Sequence, residues 1–151
     1  MNNATRKMTL AFATLASVGV ALSQLTYAES EKKAENKLEG TCWRLVAMKY
    51  GDANEFTNWP ETLVSRRVFS KTHLIWVDYD QKTGLLGSSA GGTYTVEGNS
   101  ITLNSAFASE HIKQLVNKEE KLNIRVDGKK LFLSGTFSWG LKMEEVWEKI
   151  E

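Results

Sequence analysis

The chain has 151 residues, a net charge of +1 and a single cysteine. One domain fits this length, and the lone cysteine excludes an internal disulfide. The near-neutral balance excludes the basic face that nucleic-acid binding needs, and also simple electrostatic attraction to anionic lipid.

Residues 1–28 read as a secretory signal peptide. Arg6 and Lys7 supply a positive start, Thr9 to Leu22 an apolar stretch, and Thr26-Tyr27-Ala28 a small-x-small cleavage site. The apolar stretch is short for a membrane span of about 20 residues, although an uncleaved anchor is the plain alternative. Cys42 lies too far along to be a lipoprotein anchor. Cleavage would leave 123 residues with 17 basic and 18 acidic side chains, no integral membrane segment, and a secreted or periplasmic protein.

Residues 29–37 form a charged tether with one alanine and no larger apolar residue, too polar to repay its ordering entropy. The domain is expected over 38–151. It opens on Leu38-Glu-Gly40-Thr-Cys-Trp43-Arg-Leu45. If Trp43 points inward, Val46, Met48 and Tyr50 give this strand an apolar outer face. Gly51 to Thr62 is a long polar connection carrying Phe56 and Trp59, and Trp59-Pro60 is placed as part of a lid. Arg66 to Ser70 makes a strand. His73 to Tyr79 makes the next, rich in β-branched and aromatic residues, and Asp80 to Gly84 turns it. Gly84 to Gly92, with four glycines, reads as a hairpin or bulge region; it lacks the ending of a phosphate loop.

Tyr94 and Val96 alternate with threonines, Glu97-Gly98-Asn99 turns the chain, and Ile101 and Leu103 return. Ser109 to Asn117 has helical spacing and is expected as a short helix or turn. Leu122, Ile124 and Val126 alternate with polar residues. Asp127-Gly128 follows as a hairpin signal of type I′, and Leu131 to Ser134 returns. About eight or nine strands joined by hairpins predict an all-β, antiparallel up-and-down barrel or sandwich. The last segment is ambiguous: Met143, Val146, Trp147 and Ile150 sit at helical spacing among good helix formers.

The opening Leu38-x-Gly40-x-x-Trp43-x-Leu45 is similar to the first strand of lipocalin-like proteins. Three further stretches, Arg67-Val-Phe-Ser-Lys-Thr-His73-Leu-Ile-Trp76-Val, Gly91-Gly-Thr-Tyr94-Thr-Val-Glu-Gly98 and Glu145-Val-Trp147-Glu-Lys149, resemble the small secreted bacterial lipocalin-like domains, whose function is poorly defined. The resemblance covers roughly Leu38 to Ile150. It implies a calycin-type barrel of about eight strands with at most one short helix and an internal cavity. It also makes 142–150 the closing strand, with Lys149 stacked on the opening tryptophan.

On His73 to Tyr79, the odd set is the more apolar and is placed inside, so His73 and Tyr79 would line the cavity. A hydrogen-bonded core histidine is the bland reading. Arg67 shares a face with Phe69 and would meet a carboxylate with its two-pronged fork; a rim arginine is the alternative. Tyr94 completes the lining and Trp59 the mouth, though a loop tryptophan tucked onto its own barrel is equally ordinary. Cys42, His73 and His111 lack the close pairing of zinc ligands, and nothing marks a haem or another cofactor. Asp78, Asp80, Glu144 and Glu145 read as solvated surface. The leading expectation is a non-enzymatic barrel binding a small hydrophobic molecule. A protein partner, such as a hydrolase that it inhibits, is the second class, and a barrel isomerase the third.

Overall fold

A computed structural model describes residues 36–151. The expected signal peptide and the tether up to residue 35 lie outside them. The last two tether residues lie within, and Asn36 is fastened: its Nδ2 donates to the Tyr94 hydroxyl at 2.8 Å and its Oδ1 accepts from the Leu38 amide at 3.1 Å.

The strands are β1 (Thr41–Tyr50), β2 (Thr57–Asn58), β3 (Leu63–Phe69), β4 (His73–Asp80), β5 (Leu86–Glu97), β6 (Ser100–Ala108), β7 (Glu119–Asp127), β8 (Lys130–Thr136) and β9 (Lys142–Lys149). Each long strand pairs antiparallel with the next, and β9 pairs back onto β1. Eight strands, all except β2, thus close an up-and-down barrel, and closure removes the exposed edges an open sheet would carry. A 3-10 helix, Glu110–Leu115, falls inside the stretch read as a short helix or turn.

Alternation decides which face of each strand is interior. On β7, Glu120, Leu122 and Ile124 are buried while their neighbours are exposed. On β9, Met143, Glu145 and Trp147 are buried. The helical spacing of this last segment is overridden because both of its edges are taken by ladders, to β8 and to β1.

The Asp127-Gly128 hairpin forms, with Asp127 opposite Lys130. Its turn is not type I′: Gly128 has φ 56°, but Lys129 stays out of the left-handed region. Glycine at the first central position is the placement of a type II′ turn.

One bulge resets β1. Leu45 faces Trp147, yet Ala47 faces Val146, so Val46 is the extra residue. Beyond it the phase reverses: Met48 stands opposite Glu145 and Tyr50 opposite Met143. The expected apolar outer face of Val46, Met48 and Tyr50 is therefore not formed, because Met48 and Tyr50 share the inner side with their partners. The bulge also redirects the mouth. Residues 41–44 of β1 pair with β3, whereas Ala47 and Met48 pair with β2.

The base of the barrel is solid. Leu38, Trp43, Phe69, Tyr94, Ile101 and Leu131 are all buried there. Phe69 and Tyr94 meet edge-to-face at 5.1 Å. Such large apolar side chains contribute roughly 1.5–3 kcal/mol each on burial. Trp43 Nε1 donates to Thr41 Oγ1 at 2.6 Å, so its polar end is satisfied. Lys149 stands opposite Trp43 in register but is exposed. The cation stacked on a tryptophan is instead Arg67, inside the barrel.

Candidate functional site

Above the base the interior opens into a cavity of about 270 Å³. Its walls are largely apolar, with Leu45, Leu74, Leu103, Leu122 and Met143 from five strands. Three connections roof it. The 51–62 loop brings Trp59, whose amide donates to the carbonyl of the bulged Val46 at 2.9 Å. The 3-10 helix brings Ile112 and the buried Leu115. The β8–β9 connection brings Phe137 and Trp139, whose rings stack 4.4 Å apart at 5°. Glu120 pins this last connection, accepting from the Ser138 amide at 2.8 Å and hydroxyl at 2.6 Å.

A polar cluster is built into one wall. Arg67 on β3 and Glu145 on β9 are 6% and 5% exposed, with Arg67 Nη2 3.5 Å from Glu145 Oε2. The guanidinium lies over the Trp147 ring at 4.4 Å, a favourable cation–π placement. Glu145 accepts at both oxygens, taking Trp147 Nε1–H at 2.9 Å and the Tyr50 hydroxyl. Burial, and then the adjacent Glu145 charge, push the Tyr50 phenol far above its ordinary value, so it stays protonated and donates.

Asp78 is the second interior acid. It stands opposite Ser65 on β3, whose inner face also carries Arg67. Burial pushes its carboxyl up. The Ser65 hydroxyl and the Arg67 charge pull it back in part, Glu145 adds to the rise, and His111 opposes it. Three buried polar atoms of the lining have no hydrogen-bond partner among the described residues: Arg67 Nε, Asp78 Oδ1 and Trp59 Nε1. Buried polar groups are normally paired, so three in the wall of one cavity set it apart from the packed base.

The expected site residues divide accordingly. Arg67 and Trp59 line the cavity. Tyr94 points inward, but at the base: its hydroxyl donates to the Ser70 carbonyl at 2.7 Å and accepts from Asn36, and it is absent from the cavity wall. His73 and Tyr79 are on the outer face of β4, contrary to the expectation that they line the cavity. The inner face is Leu74, Trp76 and Asp78, fixed by their pairing with the inner residues Phe69, Arg67 and Ser65. His73 is exposed, with Nδ1 2.9 Å from Thr72 Oγ1. The more apolar face was placed inside, but this interior carries charge, so apolarity misjudges the phase. Asp78 and Glu145, read as solvated surface, are interior for the same reason. A usable signal was present: once Phe69 and Arg67 point inward, so does Ser65, and a hairpin to β4 then carries Asp78 with them.

Cys42 and His73 lie towards the base and His111 at the mouth, so their positions bring no metal-binding set together. No helix among the described residues is long and apolar enough to cross a membrane.

No protein-family model and no curated protein matches the chain. Solved structures do. A lipocalin-like protein from Bacteroides uniformis is similar at TM-score 0.54 and 14% identity, covering 74% of this chain and 96% of that one. An uncharacterized protein from Bacteroides eggerthii is similar at TM-score 0.54 and 15% identity, covering 74% of this chain and 98% of that one. At these identities the likeness shows the fold alone. That fold is the lipocalin-like barrel.

Proposed function

We propose that this lipocalin-like barrel is a secreted or periplasmic binding protein that holds a small, largely apolar molecule in its internal cavity. The observation that carries the reading is the pairing of an apolar chamber with buried, unpartnered polar atoms in its wall. Ligand sites combine an apolar body with a few placed polar groups in this way. The size class is small. A cavity of about 150 Å³ takes benzene, so about 270 Å³ suits a body of one or two rings rather than a long acyl chain. Binding is favoured over catalysis by the state of the interior groups. Tyr50 is locked onto Glu145, and Glu145 accepts from Tyr50 and Trp147 while paired in charge with Arg67.

The test is native mass spectrometry of the folded protein purified from its host. A co-purified molecule of small mass, released on unfolding, is the expected result. A bare protein mass, unchanged by a panel of small aromatic compounds, sinks the reading.

A protein-binding reading has one observation in its favour. Val68, Ile75 and Phe107 are each more than two-fifths exposed. They lie in one row across β3 to β6, through the pairs Val68–Ile75, Ile75–Gly91 and Gly91–Phe107. Contiguous exposed apolar surface of this kind marks contact sites when it is large.

A further inference from the structure

We infer that the cavity selects a small organic amine, an apolar or aromatic body carrying one ammonium group seated against Asp78, and disfavours a carboxylate. The inference rests on the cavity-binding reading and specifies the chemistry of its ligand.

The charge inventory of the wall comes first. Its charged side chains are Arg67, Asp78, Glu120 and Glu145. Arg67 is paired with Glu145, and Glu120 is occupied by Ser138. One nitrogen of the arginine that would have recognised a carboxylate, Nη2, is therefore already held 3.5 Å from a carboxylate belonging to the protein. An anionic ligand would add a negative charge to a wall where acids outnumber bases, in a setting where like charges are weakly screened. An ammonium group corrects that imbalance.

Asp78 supplies the acceptor. Its Oδ1 is buried and has no hydrogen-bond partner among the described residues. An N–H donor from a cation would satisfy it with a charge-assisted hydrogen bond, stronger than its neutral counterpart. The aromatic surroundings agree. Trp59, Trp76, Phe137 and Trp139 present rings to the same chamber. Aromatic faces attract cations, most strongly where water is excluded. The remaining donors, Arg67 Nε–H and Trp59 Nε1–H, suit an uncharged acceptor such as a hydroxyl or carbonyl oxygen on the ligand body.

The experiment is calorimetric titration of the purified protein with three probes that share one body: 2-phenylethylamine, 2-phenylethanol and 3-phenylpropionate. The amine is expected to bind about tenfold or more tightly than the alcohol, as a hydrogen bond to a charged group implies, with the carboxylate weakest. Asp78→Asn should abolish the amine's advantage, bringing its affinity level with the alcohol's for the same variant, with circular dichroism confirming the fold. Carboxylate binding as tight as the amine overturns the inference. So does an amine-to-alcohol ratio that survives Asp78→Asn, and so does water filling the wall, which would show as alcohol and amine binding equally. In these cases a bound alcohol keeps the cavity reading intact. If all three probes fail to bind, both readings fall together.

Discussion

At Asp78 burial and ionisation pull in opposite directions. A carboxyl whose pKa is raised by folding costs stability whenever it is ionised. That cost is present at neutral pH and disappears as the pH falls towards the ordinary value of 3.8, where the folded-state carboxyl is protonated. Burial is its main source and Glu145 on β9 adds to it, while Ser65 and Arg67 on β3 and His111 on the 3-10 helix oppose it. Asp78→Asn keeps the shape and removes the charge. The variant should melt at a higher temperature than the parent at pH 7, with the gap narrowing as the pH falls towards 3.8. A lower melting temperature at pH 7 would contradict this account of the site. Such a trade of stability for a poised group is a common property of binding and catalytic sites. Of the residues that make the site, Arg67 and Trp59 were legible in the sequence, through the parity of Phe69 and the length of the loop. Asp78 and Glu145 were not. In isolation each looks like a surface acid, and only the register with a partner strand turns it inward.

At the level of the elements, bulges do the steering. The one at Val46 turns Met48 and Tyr50 inward, so that the Tyr50 hydroxyl reaches Glu145. Its carbonyl also positions Trp59. A second lies in the β5–β6 pairing, where Gly91 faces Phe107 and Gly92 faces Ser105, so Ala106 on β6 is the extra residue. There β5 and β6 come so close that a Cβ on Gly92 would stand 2.0 Å from the Asn104 carbonyl oxygen. Backbone must move to admit it. Gly92→Ala should cost about 1–3 kcal/mol, the usual range for overpacking, measured by urea unfolding, and a change within experimental error would argue against this close approach. The glycine cluster at 84–92 announced a bulge or hairpin region, and β5 carries one extra residue there, between the pairs Val77–Ser89 and Tyr79–Leu86. The bulge at Val46 has no such signal, since valine is an ordinary strand residue, and the phase of β1 could not be followed past it. The final strand shows the converse. Its helical periodicity is real, but this closed barrel needs an eighth strand that pairs on both edges, and that tertiary demand outweighs propensity.

For the whole molecule, closure sorts the interior into two regions. The base is packed with Trp43, Phe69, Tyr94 and their neighbours, and the mouth half is left open under three connections. The barrel was foreshadowed by the alternating strands, the hairpin signals and the lipocalin-like segments that open and close the domain. The division into base and cavity was not, since it depends on how far each side chain sits along a tilted strand. It also supplies an internal control. Of the five tryptophans, Trp59, Trp76, Trp139 and Trp147 line the cavity, while Trp43 is sealed in the base. The most direct test is therefore a nitrogen-edited NMR titration of the indole N–H signals with 2-phenylethylamine and 2-phenylethanol. The signals of Trp59, Trp76, Trp139 and Trp147 should shift with saturation while that of Trp43 stays in place. Unmoved indole signals, with shifts confined to the amides of Val68, Ile75 and Phe107 on the outer face, would contradict an internal binding site.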